Sequence, residues 1–352
     1  MRVLHCPSSV GGNAQGLAKA ERRLGLDSHC TTFRKSPFGY DTDECLYSSD
    51  ISPLRFEARR WRLFLRALRD YDVIHFNFGR TIMPSLDSEA SASAFTGSDV
   101  VRRLYSVYAR CLEFGDLAWL KRAGKCIAVT FQGDDARQGA YCREHFDIGP
   151  TPHVPSGYYT DEKDARRRSI IERFDRYADL IFALNPDLLH VLPDRAQFLP
   201  YAHIDFDDWE PRVPTSNDPI VIAHAPTHEG VKGTSFITRA VEKLRQQGLR
   251  FEFRLLRGLS HAEVREALAA CDFLVDQLLL GWYGGIAVEA MALGIPVICY
   301  LREDDLQEIP PDMRKEIPIV RATPTDIGEV LERCVRLGEQ PLREMGRKSR
   351  EY

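Results

Sequence analysis

Along this chain, short apolar runs alternate with longer stretches whose apolar residues recur at helical spacing, the pattern of a parallel α/β protein. Buried strands are expected over residues 2–6, 71–79, 125–131, 220–224, 251–257, 272–280 and 297–300. Helices are expected through residue 24, over 54–69 and 161–177, through 247, and over 261–270 and 286–293, with a charged helical tail over 301–352. The region 84–105 is small and polar and reads as a long loop or insertion. The stretch 210–219 has prolines at 211, 214 and 219 among polar residues, which marks an interdomain linker. The expected organisation is two Rossmann-like domains, 1–209 and 220–352, joined by 210–219, and a chain of 352 residues is long for one core.

The run 281–300 carries the most chemistry. Gly284 and Gly285 precede a segment, 286–293, that is apolar at every position except Glu289. That composition predicts a helix buried on all sides. Gly294 suits a left-handed cap and Pro296 forbids continuation, so a strand follows. A carboxylate inside such a helix is costly without a partner. Bare amides at the start of a helix favour an anion. A phosphate on the amides of Gly284, Gly285 and Ile286, with a sugar hydroxyl on Glu289, accounts for both features. The competing explanation is a structural ion pair between Glu289 and an arginine.

Residues 289–297, Glu-Ala-Met-Ala-Leu-Gly-Ile-Pro-Val, resemble the donor-binding signature of glycosyltransferase family 4. That family has two Rossmann-like domains facing a cleft, the GT-B fold, and carries a second acid eight positions before the one matched by Glu289; Gly281 stands there. The resemblance extends to residues 178–187 and 199–205, which are similar to the last strands of the family's first domain. It implies that the glycine loop at Gly11 and Gly12, after the first strand, faces donor sugar and acceptor. It also implies that Lys232 and Gly233, entering a helix, contact the diphosphate, with Thr227 near the position of a missing arginine and Tyr283 beside the donor. Residues 132–135, Gln-Gly-Asp-Asp, stand where the family has His-Gly-x-Asp. Gln132, Asp134, Asp135 and Arg137 are thereby the candidates facing sugar and acceptor. His75 and Asn77 point the same way on the strand 71–79. His75 is either a site residue or a satisfied core histidine.

Composition narrows the reading. A net charge of −4 argues against general nucleic-acid binding. Nine cysteines occur without a Cys-x-x-Cys pair, which fits reduced, buried thiols. The N-terminus turns to glycine too soon for a signal peptide, and no apolar run approaches membrane-spanning length, so the expected location is cytoplasmic or peripheral on the inner membrane face. The helix 54–69 carries six arginines against Glu57, with Trp61, Phe64, Leu65 and Leu68 at helical spacing, a composition compatible with an anionic membrane surface. Asp205-Phe-Asp207 spells a short metal-binding pattern, yet hard cations need several converging oxygens, so no metal is assigned.

The family resemblance implies a retaining glycosyltransferase and, with no metal assigned, a metal-independent one. It would move a sugar from a nucleotide-diphospho-sugar, its co-substrate, to a cell-surface glycan, lipid-linked or secondary-metabolite acceptor. Gly281 and Gln132 depart from the family pattern. They leave open a non-catalytic nucleotide-sugar-binding protein and, more remotely, a sugar-nucleotide epimerase.

Overall fold

The computed structural model describes residues 1–36, 39–47, 51–85, 99–211 and 219–352. Their contacts divide the chain into two compact units. The first comprises residues 1–136, 165–184 and 192–203; the second comprises 137–164, 185–191 and 204–352. Residues 137–164 and 185–191 therefore pack with the C-terminal unit, which otherwise begins at residue 204. Most of the expected linker, 212–218, lies outside the described residues.

The first unit is built on seven strands, β1 (Arg2–Cys6), β2 (Asp27–Thr32), β3 (Glu44–Cys45), β4 (Val73–Asn77), β5 (Cys126–Phe131), β6 (Leu180–Ala183) and β7 (Gln197–Phe198). They form one parallel sheet in the order β3-β2-β1-β4-β5-β6-β7. Helices cover the sheet, so its central strands are buried along their length, as their apolar composition requires. Phe174 of the helix Asp161–Tyr177 meets Phe76, Phe114 and Phe131 in this core.

The helix Pro53–Asp70 begins with proline at its first turn and with Ser52 accepting the N–H of Arg55. Its buried face is Phe56, Arg60, Leu63, Phe64 and Ala67, while Leu65, expected inside, is exposed. Arg60 is instead buried, lying 4.5 Å from the centre of the Phe33 ring and donating to the Ile82 carbonyl at 2.7 Å. Helical periodicity alone reads that arginine as solvated. The region 84–105 is also only in part as expected: residues 86–98 lie outside the described residues, but Asp99–Leu112 is a helix.

The second unit contains β8 (Val221–His224), β9 (Glu252–Leu255), β10 (Phe273–Val275), β11 (Val297–Cys299) and β12 (Val320–Arg321), parallel in the order β12-β11-β10-β8-β9. The apolar run 272–280, expected to be one strand, contributes only Phe273–Val275 to the sheet. The expected helical tail also contains β12. Ile222, Phe273, Val275 and Ile298 pack with Ile237, Val241 and Leu331 from the covering helices. All nine cysteines are free, and most are buried. Both units thus have Rossmann-like parallel sheets, as expected.

The central helix Gly285–Ala292 ends at Gly294, whose φ of +75° is the left-handed cap foreseen from the sequence. The final helix, Glu339–Glu351, packs against this cap through Gly346. A Cβ at Gly346 would lie 1.8 Å from the Gly294 carbonyl oxygen. Gly346→Val therefore forces the two helices apart. The expected cost is about 2–3 kcal/mol, typical of overpacking a tight contact. Chemical denaturation checks it, and an unchanged midpoint would show that the contact yields freely.

Candidate nucleotide-sugar site

In the C-terminal sheet the strand order reverses between β8 and β10. Open parallel sheets collect ligands outside the C-terminal ends of the strands at such a point. The loop after β8 ends in the short helix Glu229–Lys232. The loop after β10 runs from Asp276 to Gly284 and feeds the helix Gly285–Ala292.

Asp276 ties these loops together. It is buried, and its Oδ1 lies 2.7 Å from the Lys232 ammonium. Its Oδ2 accepts the Gly284 N–H at 2.5 Å. A Cβ at residue 284 would stand 2.9 Å from the Lys232 Nζ, so a side chain there would push the lysine aside. The positive end of the helix and the lysine thus converge on one carboxylate. The N–H groups of Gly285 and Ile286, in the first turn, have no acceptor within the helix and carry its dipole field. Beneath the lysine, His224 bonds the Val275 carbonyl at 2.8 Å and the Thr234 hydroxyl at 2.9 Å. Burial holds its pKa down at about 4, with Lys232 adding to the effect, so the ring is neutral.

Glu289 lies one turn into the helix and is buried. Its Oε1 is 2.9 Å from Nε2 of His261. The partner is a histidine, where a purely structural ion pair was expected to use arginine. His261 opens the helix His261–Ala269, whose start is fixed by reciprocal bonds between Ser260 and Glu263.

At Gly281 the backbone takes φ +76°, and a Cβ would lie 2.6 Å from Nη1 of Arg302 and 2.8 Å from Oδ2 of Asp305. Arg302 bonds Asp305 at 2.6 Å and the Ile148 carbonyl at 3.0 Å, and its guanidinium lies 3.5 Å from the centre of the Phe146 ring. Asp305 also meets Nε2 of His190 at 2.9 Å, which raises the histidine's pKa. The place of the resembled family's first acid is filled by an ion network that belongs to the protein's own interior.

The remaining expected donor residues are spread more widely. Thr227 is exposed in the loop after β8. Gly233 turns the chain at φ +78° into the helix Thr234–Gln246, against Leu278 and Leu279. Trp282 and Tyr283 are buried and stack on each other at 4.3 Å, and the Tyr283 hydroxyl meets that of Tyr352 at 3.1 Å. Their faces serve the core.

In the N-terminal unit the order reverses between β1 and β4. Gly11 and Gly12, with φ of +59° and +73°, form the turn after β1. The Gln132 side chain donates to Asn77 at 3.2 Å, which brings the ends of β4 and β5 together. His75 is buried, 2.7 Å from the Thr130 hydroxyl, and its pKa is lowered by burial and then by His5. That is the geometry of a satisfied core histidine. Asp135 caps its own turn by accepting the N–H groups of Gln132 and Gly133 at 3.0 and 2.7 Å, and burial lifts its pKa to about 6. The Asp134 carbonyl accepts from Arg167 at 2.8 Å. Arg137 does not join this group: it packs in the C-terminal unit in a two-point pair with Asp187, at 2.7 and 3.2 Å. Asp205 Oδ1 accepts the N–H of Asp207, and among the described residues no cluster of three or more His, Cys, Asp or Glu could hold a metal.

Solved structures share this architecture. A sucrose-phosphate synthase from Thermosynechococcus elongatus superposes with a TM-score of 0.54 at 14% identity, over 99% of this chain and 93% of that one. The catalytic domain of starch synthase IV from Arabidopsis thaliana, bound to ADP and acarbose, gives 0.59 at 11%, over 100% and 95%. The chain has the GT-B fold. A ugt transferase from Siraitia grosvenorii in complex with UDP gives 0.50 at 11%, over 99% and 94%. No protein-family model matches the sequence, and comparison with curated proteins finds no match. The likeness, at such low identity, is one of fold.

Asp276 and His261 escaped the sequence reading. The signal for Asp276 was present: it is an acid in an apolar run, the same anomaly that singled out Glu289. His261 carried no such signal, because a histidine opening a polar helix is ordinary. Gly281→Glu restores the family's acid in sequence but not in space. The left-handed backbone and the Arg302 contact are expected to lower stability by about 2 kcal/mol or more. Urea denaturation measures this, and unaltered stability would mean that Arg302 moves aside readily.

Proposed function

We propose that the chain is a glycosyltransferase that uses a nucleotide-diphospho-sugar. The observation that carries this reading is a buried carboxylate, Glu289, met by His261, on a helix whose N-terminus lies beside the Lys232–Asp276 pair at the switch point of a Rossmann-like sheet. The amides of Gly285 and Ile286, with Lys232, would hold the diphosphate, and Glu289 would accept ribose hydroxyls. Oriented amides and an ammonium stabilise the charge that develops on the leaving phosphate, a task a divalent cation performs in other enzymes. Metal-independent transfer follows from this assignment. Retention of configuration, membership of family 4 and a role in polysaccharide synthesis rest on the resemblance of residues 289–297.

The acceptor is a glycan or a lipid-linked sugar met at a membrane surface, with the enzyme on the cytoplasmic face. In support, the helix Asp99–Leu112 exposes Val100, Leu104 and Val107 along one stripe, beside exposed Arg103 and Arg110. The helix Pro53–Asp70 exposes Leu54 and Leu65 beside Arg55 and Arg62. The two helices are joined by the bond from Trp61 to the Tyr108 hydroxyl at 2.7 Å. Apolar stripes flanked by arginine suit anionic lipid. No helix among the described residues is long and apolar enough to cross a membrane.

A second reading, a non-catalytic nucleotide-sugar binder, is favoured by the inward ion network at Gly281; a sugar-nucleotide epimerase is the remoter third. Donor turnover only with acceptor supports transfer, turnover without acceptor supports epimerisation, and binding without turnover supports the second reading.

A thermal-shift panel of UDP, GDP, ADP and dTDP sugars, with magnesium and with chelator, tests the donor site. One nucleotide sugar is expected to stabilise the protein equally in both conditions, and Glu289→Ala to weaken its binding by about 1.5–3 kcal/mol. A panel without any shift would remove the donor assignment. For the surface, the pair Leu104→Asp and Val107→Asp is expected to reduce co-sedimentation with anionic vesicles several-fold. Equal sedimentation of native and variant protein would place lipid contact elsewhere or nowhere.

A further inference from the structure

We infer that Asp276 is a resident counter-anion of the donor phosphate site and sets its preference for a nucleotide sugar over the nucleoside diphosphate that transfer releases. This rests on the donor-site reading given above. The Asp276 carboxylate already engages the cation that would receive a phosphate, the Lys232 ammonium at 2.7 Å, and the Gly284 amide at 2.5 Å, next to the amides of the helix start. Lys232 is itself buried, so its charge is answered chiefly by Asp276 rather than by water. An ammonium has three N–H groups, and the bond to Asp276 uses one. A diphosphate can therefore join the lysine without expelling the aspartate, and then lies within a few ångströms of a fixed negative charge.

That arrangement discriminates by charge. A diphosphate esterified at both ends carries two negative charges. Cleavage of the sugar–phosphate bond leaves the bonding electron pair on the terminal phosphate oxygen, while the sugar carbon forms its new bond to the acceptor oxygen. The acceptor's proton passes to solvent or to the terminal phosphate. With a second phosphate pKa near 6, the released nucleotide carries about one more negative charge at neutral pH. Repulsion between unit charges a few ångströms apart near a protein surface is enough to weaken binding about tenfold. Asp276 thus tolerates the substrate and disfavours the product, and the loop after β10 would speed product release.

Asp276→Asn keeps the shape and an oxygen for Gly284 while removing the charge; Asp276→Ala serves as the second variant should the first fold poorly. Calorimetric titration of the full chain with UDP, GDP, ADP, dTDP, their sugars and inorganic pyrophosphate reads the effect. The native protein is expected to bind the nucleotide sugar more tightly than its diphosphate. In the variant, diphosphate and pyrophosphate affinity should rise about fivefold or more, with a smaller change for the sugar, so that the preference shrinks. Adding Lys232→Met should abolish the gain. Equal shifts for sugar and diphosphate, or weaker binding of both, would overturn the role of Asp276 while leaving the donor site in place. Failure of the native protein to bind pyrophosphate or any of the nucleotides would overturn both.

Discussion

A carboxylate can be buried only if something answers its charge, and the C-terminal unit is arranged around that requirement at Asp276. The residue follows the last paired residue of β10, so the sheet fixes its backbone. Its two oxygens then fix two other things: the lysine at the end of the loop after β8, and the first amide before the helix Gly285–Ala292. Removing either partner strands a charge away from water, which is far more costly than the pair is stabilising. The loops at the switch point are therefore held by electrostatics, where apolar packing alone would leave them soft.

The same device recurs around that end of the sheet. Glu289 is answered by His261, Asp305 by Arg302 and His190, and Asp187 by Arg137. Arg302 and Asp305 lie within one turn of chain, but the other pairs join segments distant in sequence: His190–Asp305 ties the piece 185–191 to the later chain, and Arg137–Asp187 ties that piece to 137–164. Fixed dipoles and charges are what a site needs if it is to stabilise a developing phosphate charge without rearranging at the moment of transfer. The cost is that most of the acids are already engaged, so a ligand must share partners with them.

How much of this could be read from sequence depended on whether a residue broke a local rule. The run 286–297 was legible because one acid interrupts an apolar helix and Gly294 and Pro296 end it. The strand expected over 272–280 was wrong after Val275 because buried loop residues and strand residues have the same composition. Leu278 and Leu279 are apolar since they pack beside Gly233, not since they pair in a sheet. Arg60 read as solvent-facing because periodicity assigns arginine outward, whereas two phenylalanine rings and a carbonyl make an inward place for it. The helix Asp99–Leu112 was read partly as loop because its valines and leucine have no visible core to face, and in the structure they face solvent. Pairings such as Arg137–Asp187 were beyond reach, since charge complementarity does not say which of many acids an arginine meets.

Gly281 and Asp276 are best understood together, because both lie on the segment between β10 and its helix. The resembled family places an acid at the position of Gly281, directed toward the donor. Here a side chain at that position would run into Arg302 and Asp305, while a carboxylate appears at residue 276, directed at the lysine. The segment thus carries its negative charge beside the Lys232 ammonium and none at the position of Gly281. On the proposed donor reading, hydroxyl recognition within this unit falls to Glu289. On that reading a fixed charge at Asp276 bears on which nucleotide stays bound more than on which sugar is accepted.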